Sequence, residues 1–132
     1  MILKPIGVVS SLFEDRLNTP HQGRYSSKDS IIEIFPEYGG ALEGIERCKY
    51  LFVLYWCDKS ERNLLKVVPH GKTKKRGVFS TRAPSRPNPI ALTLVEVMDI
   101  TDNKLTVKGL DALNGSLVVD IKPYWRDIDC LD

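Results

Sequence analysis

The residues best suited to chemistry lie close together in residues 77–90, whose sequence is GVFSTRAPSRPNPI. Arg82, Arg86 and Asn88 stand there among three prolines. Each proline fixes its own φ angle and disfavours helical backbone at the residue before it. Such stiffening suits a site that must hold two guanidiniums and an amide in fixed directions. A rigid turn between two strands, with its arginines facing water, is the alternative interpretation.

Two further segments combine polar groups with a restricted backbone. Asp120 and Lys122 end an apolar run, and their spacing of two places them on one face of a strand. They fit either a structural ion pair or a polar site at the mouth of a barrel. His21 lies in a turn within the first long polar segment, and such a histidine is more often a surface group than a catalyst.

The charge of the chain is unevenly distributed. The net charge is only +2, but residues 66–86 contain seven lysines and arginines and no acidic residue. A basic patch on a near-neutral protein predicts an anionic partner that is met on one face. For residues 72–76 alone, a solvated lysine loop is an equally good interpretation.

The composition indicates one domain over residues 1–132, with 42% hydrophobic and 27% charged residues. There is no apolar run of membrane-spanning length and no secretory signal, so we expect a cytoplasmic protein without a membrane anchor. Three cysteines and two histidines, without paired spacing, predict free thiols and no metal site. A GxSxG elbow and a P-loop are also missing, which favours chemistry that needs only positioning and charge complementarity.

Short apolar runs separated by turn residues predict a mainly β protein. The pattern favours a closed or nearly closed β-barrel with short helical turns, and it argues against a Rossmann-type fold because strands and helices do not alternate. Helical turns are expected at residues 41–47 after a break at residues 36–40. The predicted strands cover residues 4–10, 30–35, 49–57, 64–68, 77–80, 89–100 (with both faces covered), 104–109 and 117–122.

The segment from Gly77 to Thr93, GVFSTRAPSRPNPIALT, closely resembles the signature of the TrmO-like (YaeB) tRNA methyltransferases. The chain is similar to this family nearly end to end, and it is interpreted as a short form without the C-terminal extension of longer bacterial members. The other segments that follow the family's order are Pro5–Val8, Thr19–Gln22, Ile34–Tyr38, Leu54–Trp56 and Asp120–Tyr124.

The resemblance implies a small non-Rossmann barrel that binds S-adenosylmethionine, forms homodimers and uses no metal. Its implied substrate is tRNA, methylated on N6 of N6-threonylcarbamoyladenosine beside the anticodon. By position, the implied cofactor contacts are Pro20, His21, Gln22, Cys57, Asp58, Arg82, Leu92, Gly109, Leu110 and Asp111.

The remaining signature positions are assigned to catalysis and to substrate binding. Asp120, Lys122 and Tyr124 are the catalytic candidates; Asp120 is the candidate base, and orientation without a base is an equal alternative. The substrate contacts are predicted at Arg86, Asn88, Lys74, Lys75 and Arg76. Two alternatives stay open: a barrel that binds S-adenosylmethionine or RNA without methylating it, and a methyltransferase for another substrate.

Overall fold

A computed structural model describes residues 1–12 and 29–132, and its main element is a closed barrel. Six strands form the barrel in the order β1-β2-β7-β6-β3-β8, while β4 and β5 form a separate two-stranded sheet. This confirms the mainly β, closed-barrel prediction. The strands are β1 (Gly7–Ser10), β2 (Asp29–Ile34), β3 (Tyr50–Trp56), β4 (Lys66–Val67), β5 (Arg76–Gly77), β6 (Ile90–Thr101), β7 (Lys104–Lys108) and β8 (Leu117–Pro123).

The described helices are short. They are 3-10 helices at Pro36–Leu42, Ile45–Arg47 and Val78–Ser80, and one α-helical turn, α1, at Arg126–Asp129. None of the helices in the described residues is long and apolar enough to cross a membrane.

Alternating side chains build the barrel core. On β3, for example, Leu51, Val53 and Tyr55 are buried, whereas the residues between them are partly exposed. The predicted alternation over residues 104–109 is confirmed, because Leu105 and Val107 are fully buried on β7. Since successive strand residues point to opposite faces, this pattern fixes which side chains face the interior.

The β1–β2 register depends on Gly7. Gly7 pairs with Ile34, and a Cβ atom on Gly7 would stand 2.5 Å from the carbonyl oxygen of Glu33. Only a residue without a side chain permits this approach, so the first strand can close the barrel between β2 and β8.

The chain divides into two compact units. The barrel unit comprises Met1–Tyr55 and Leu92–Asp132, and the insert unit comprises Trp56–Ala91. The insert unit contains β4, β5 and the proline-rich segment. The single-domain interpretation of residues 1–132 stays a prediction.

The expected break of the second strand at residues 36–40 is confirmed: β2 ends at Ile34, and a 3-10 helix begins with Pro36 in its first turn, where the missing N–H costs nothing. Two other local predictions were wrong. The strand expected at residues 77–80 ends at Gly77, because the Thr81 N–H donates to the carbonyl oxygen of Val78 and closes a 3-10 turn. The strand at residues 89–100 was expected to be covered on both faces, but Leu92 and Leu94 on β6 are exposed.

Candidate functional site

The guanidinium of Arg86 organises the proline-rich segment. Its Nη1 atom donates to the carbonyl oxygens of Thr81 and Ala83, at 3.0 and 2.9 Å. Its Nη2 atom donates to the carbonyl oxygen of Val78 at 3.0 Å. Three of the five N–H donors of the side chain are therefore engaged in charge-assisted bonds to backbone. Arg86 therefore braces the loop. Its contact with substrate stays a prediction, and the two remaining N–H donors would have to make that contact.

Hydrogen bonds also hold the two ends of the braced loop. At its start, the Ala83 N–H donates to Thr81 Oγ1 at 3.2 Å. At its end, the Cys57 N–H donates to the carbonyl oxygen of Pro89 at 2.8 Å. Arg62 donates from Nε to the carbonyl oxygen of Pro87 at 3.2 Å. The segment is thus fixed by partners within the insert unit.

Arg62 is itself held in place by an aromatic ring. Its guanidinium carbon lies 5.1 Å from the centroid of the Trp56 ring, which is a cation–π distance. Trp56 therefore supports the loop through Arg62, a function that its position in an aromatic run did not reveal.

Arg82 differs from Arg86 although both lie in the same braced loop. Arg82 is exposed, and it forms no hydrogen bond or ion pair with any residue in the described parts of the chain. Asn88 and Asp58 are likewise exposed, and Cys57 is partly buried. The loop thus presents one uncommitted guanidinium from a fixed backbone, which is what recognition of a carboxylate or phosphate needs.

A second polar cluster lies in the barrel unit around Asp111. Its Oδ1 atom accepts hydrogen bonds from the Tyr55 hydroxyl at 2.8 Å and from Thr93 Oγ1 at 2.7 Å. Tyr55 and Thr93 are both buried, so they hold the carboxylate in one orientation. The Oδ2 atom accepts no hydrogen bond from a residue that the structure describes. A fixed carboxylate with one uncommitted oxygen can accept hydrogen bonds from hydroxyl or ammonium groups of a ligand.

The chain reaches Asp111 through a turn that requires glycine. Gly109 follows β7 directly and has a φ angle of 97°, a left-handed conformation that residues with a side chain rarely adopt. Leu110 and Ala112, on either side of Asp111, are fully buried. These two buried apolar side chains hold the turn in place. Leu92, another predicted cofactor contact, lies on the exposed face of β6, opposite to the buried Thr93.

The predicted catalytic group forms a third cluster, at the end of β8. Lys122 Nζ lies 3.3 Å from Asp120 Oδ2, and the two side chains are 66% and 46% exposed. An ion pair with this exposure contributes little to stability. Asp120 Oδ1 also accepts a hydrogen bond from the Ile121 N–H at 2.9 Å.

Tyr124 packs its ring edge-on against Tyr50 and Phe52, with centroid distances of 6.4 and 5.9 Å. Burial raises the pKa of the Tyr124 phenol above its ordinary value, and the neighbouring Cys130 thiol, by its charge and its hydrogen bond, raises that pKa further. A phenol is already protonated at neutral pH at its ordinary pKa, so this shift leaves Tyr124 able to donate a hydrogen bond.

The structure does not bring the Asp111 and Tyr124 clusters together. Asp111 binds Tyr55 near the end of β3, whereas the Tyr124 N–H donates to the carbonyl oxygen of Tyr50 at the start of β3. Five residues of extended strand separate the two points by about 16 Å. Asp120, a candidate for catalysis, is the middle residue of β8 (Leu117–Pro123).

The basic residues Lys74, Lys75 and Arg76 are all exposed, at the end of the turn that joins β4 to β5. Pro20, His21 and Gln22 lie outside the described residues. Within residues 1–12 and 29–132 no cluster of three or more His, Cys, Asp or Glu side chains could hold a metal ion.

Sequence reasoning missed the positioning residues Tyr55 and Thr93. Both were visible as polar groups within apolar strands. Tyr55 shares the parity of the inward-facing Leu51 and Val53, so its hydroxyl had to find a partner inside or at the end of the barrel.

The closed barrel defines a non-Rossmann, mainly β protein. Its insert unit contains the braced loop, and its barrel unit contains the oriented carboxylate of Asp111. The chain belongs to a family described as the tRNA-methyltransferase O N-terminal domain, whose sequence model matches residues 8–130. The resemblance noted from the signature is thereby confirmed.

Archaeal relatives cover the chain almost completely. It is 58% identical over 129 residues to a probable S-adenosyl-L-methionine-binding protein of Methanothermobacter thermautotrophicus, covering 98% of this chain and 93% of the relative. It is 54% identical over 132 residues to an S-adenosyl-L-methionine-binding protein of Archaeoglobus fulgidus, covering 100% and 95% of the two chains.

Solved structures share the fold. A crystal structure of TrmO superposes with a TM-score of 0.83 at 32% identity, and one of TrmO from Pseudomonas aeruginosa with 0.81 at 29% identity. Each match covers 99% of this chain but only 60% and 58% of the solved chains. The chain therefore spans less than two thirds of their length.

The different roles of the two loop arginines predict different effects on stability. Arg86→Ala should lower the free energy of unfolding by about 1–3 kcal/mol, because three carbonyls lose a charged donor. Arg86→Lys should recover only part of this, since one ammonium cannot reproduce the planar fork. Urea denaturation monitored by circular dichroism measures both changes.

Arg82→Ala is the matched control for this series, and its unfolding free energy should stay within about 0.5 kcal/mol of the wild-type value. Equal stability of the Arg86→Ala and Arg82→Ala proteins would show that the brace does not hold the loop.

Proposed function

We propose that this protein is an S-adenosylmethionine-dependent methyltransferase that methylates N6 of N6-threonylcarbamoyladenosine next to the tRNA anticodon. The family match over residues 8–130 and the relatives' names support the cofactor and the reaction class. The structural observation that carries the proposal is Arg82 on the braced loop, which is exposed and has no partner among residues 1–12 and 29–132.

The residues in the described part of the chain fit the cofactor. Arg82 offers a planar fork of donors that matches the carboxylate of the methionine portion. The uncommitted Oδ2 of Asp111 fits a hydroxyl or ammonium group, and Tyr55 and Thr93 keep it oriented. When bound, S-adenosylmethionine supplies an electrophilic methyl group on a sulfonium sulfur.

The chain's contribution to methyl transfer is alignment. The acceptor nitrogen must lie about 3–3.5 Å from the methyl carbon and in line with the breaking bond. Asp120, with Lys122 3.3 Å away, is the group proposed to accept the N6 proton as the new N–C bond forms. The Tyr124 phenol is protonated at neutral pH, so in this proposal it orients neighbouring groups as a hydrogen-bond donor.

The proposed assembly is a homodimer, in which the outer face of β6, β3 and β8 packs against a second copy. These strands are neighbours in the barrel, and their outward side chains are apolar: Leu92, Leu94, Tyr50 and Leu117 are each about 40% exposed. Exposed apolar side chains on neighbouring strands are typical of an interface between copies.

Light scattering on the purified protein tests the dimer, for which a mass near twice 14.9 kDa is expected. The double variant Leu92→Lys with Leu94→Lys should yield the monomer, because it places charges on the packed face. A wild-type monomer at micromolar concentration would contradict this part of the proposal.

Loss of the Arg82 guanidinium should weaken cofactor binding without unfolding the protein. A charge-assisted bond to a carboxylate contributes about 1.5–3 kcal/mol, so Arg82→Ala should raise the dissociation constant for S-adenosylmethionine by roughly ten- to a hundredfold. Isothermal titration calorimetry measures the constant. Lys72→Ala, which removes another exposed cation of the insert unit, should leave it unchanged; an unchanged constant for Arg82→Ala would exclude the assigned role.

The tRNA substrate is tested by mass spectrometry of tRNA nucleosides from a strain lacking the gene. The N6-methyl form of threonylcarbamoyladenosine should disappear and return when the wild-type gene is restored. If its level is unchanged while the purified protein still binds S-adenosylmethionine, the substrate assignment fails. In that case a cofactor-binding barrel or a methyltransferase for another substrate is correct.

A further inference from the structure

Phe79 is the most exposed aromatic side chain in the described part of the chain. It is 82% exposed, compared with 58% for Trp125 and 39% for Tyr50. An apolar ring that is left in water gains nothing for the folded state, because its transfer out of water is what stabilises such side chains. The ring is therefore available for contact with a partner.

The backbone presents this ring in a fixed direction. The carbonyl oxygen of the preceding residue, Val78, accepts three hydrogen bonds: from the Thr81 N–H at 3.0 Å, from Thr81 Oγ1 at 2.9 Å and from Arg86 Nη2 at 3.0 Å. The Val78 side chain is itself buried. Phe79 thus projects from an anchored 3-10 turn, and little conformational entropy remains to be lost when a partner binds.

The sequence around Phe79 is strongly basic. Of the seven lysines and arginines in residues 66–86, only Arg86 is committed to the loop carbonyls, and the other six are exposed. The same segment contains no acidic residue. An exposed aromatic ring and six exposed cations thus occur in one short stretch of sequence, which matches a partner that alternates flat rings with negative charges.

Single-stranded nucleic acid has this alternation. Its bases stack on aromatic side chains while its phosphates bind lysine and arginine. A duplex hides its base faces, so it meets the cations but not the ring. A membrane surface also meets cations and apolar groups, but insertion draws on several apolar side chains rather than on one ring held by a braced turn.

We propose that Phe79 is a base-stacking residue, on which an unpaired RNA base lies while the exposed cations of residues 66–76 bind the adjoining phosphates. This inference rests on the proposed function, in which the substrate is tRNA, and it adds the residue that would distinguish an unpaired loop base from a paired one. Arg82 remains assigned to the cofactor, and Phe79 to the nucleic acid.

Fluorescence anisotropy with a short fluorescein-labelled single-stranded RNA, and with the same strand annealed into a duplex, tests the inference. Phe79→Ala should weaken single-strand binding about tenfold, because a stacked base contributes that order of affinity. Phe79→Trp should restore it, and Phe79→Leu, which keeps apolar bulk without an aromatic face, should not. Duplex binding should change little in all three variants.

The salt dependence separates stacking from charge. Phe79→Ala should keep the slope of log affinity against log salt, whereas Lys75→Ala should reduce the slope by about 0.7, the value for one phosphate on a single strand. Leu65→Ala is the matched control, because Leu65 is another exposed apolar residue of the insert unit and should leave RNA affinity unchanged.

The outcomes distinguish this inference from the proposed function. If the wild-type protein binds RNA and Phe79→Ala binds equally well, the stacking role is wrong while the tRNA proposal survives. If the wild-type protein binds S-adenosylmethionine but no RNA, both are overturned. A Phe79→Ala protein that loses its dimer mass, or its affinity for anionic phosphatidylserine vesicles, with unchanged RNA affinity would assign the ring to that partner instead.

Discussion

The insert unit depends on one interaction, the capture of three backbone carbonyls by the guanidinium of Arg86. Pro84, Pro87 and Pro89 have no backbone N–H, so this segment has fewer backbone donors with which to satisfy its own carbonyl oxygens. Arg86 supplies the missing donors from a side chain and reaches back across eight residues to Val78. Prolines restrict the path, and the arginine selects one conformation of that path. Both the free guanidinium of Arg82 and the ring of Phe79 owe their fixed directions to this arrangement.

The barrel unit solves a similar problem in a different way. Asp111 is partly buried, between two fully buried residues. Removing a carboxylate from water is unfavourable unless it is hydrogen-bonded, and Tyr55 and Thr93 provide those bonds from two different strands. Among the described residues, these bonds satisfy one oxygen and leave the other uncommitted. A fully satisfied carboxylate would stabilise the turn equally well, so the uncommitted oxygen is the feature that favours a role in binding.

Local patterns predicted the barrel because apolar and polar residues alternate over short distances along its strands. Leu105 and Val107 could be assigned to the interior from a few neighbouring residues, and the signature around Arg82 identified the family. The site's internal contacts were not visible in this way. Tyr55 and Asp111 are 56 positions apart, and no local rule joins them. Arg86 binds backbone carbonyl oxygens, which every residue has. The sequence therefore does not show which residues are its partners. The strand predicted at residues 77–80 was wrong for the same reason. Residues 78–80 prefer extended backbone, but hydrogen bonds to the Val78 carbonyl oxygen, including one from the Arg86 side chain, hold them in a 3-10 turn.

Closure of the barrel has a consequence for how this molecule associates with others. Each of the six barrel strands is bonded to a neighbour on both sides, so none of these described strands is an edge strand over its whole length. The separate pair β4 and β5 is only two residues long on each side, too short to template another chain. Recruitment of an incoming peptide as an extra strand is thereby disfavoured for the described strands. We expect association to use side-chain surfaces, and closure limits the edge-to-edge aggregation that threatens open sheets.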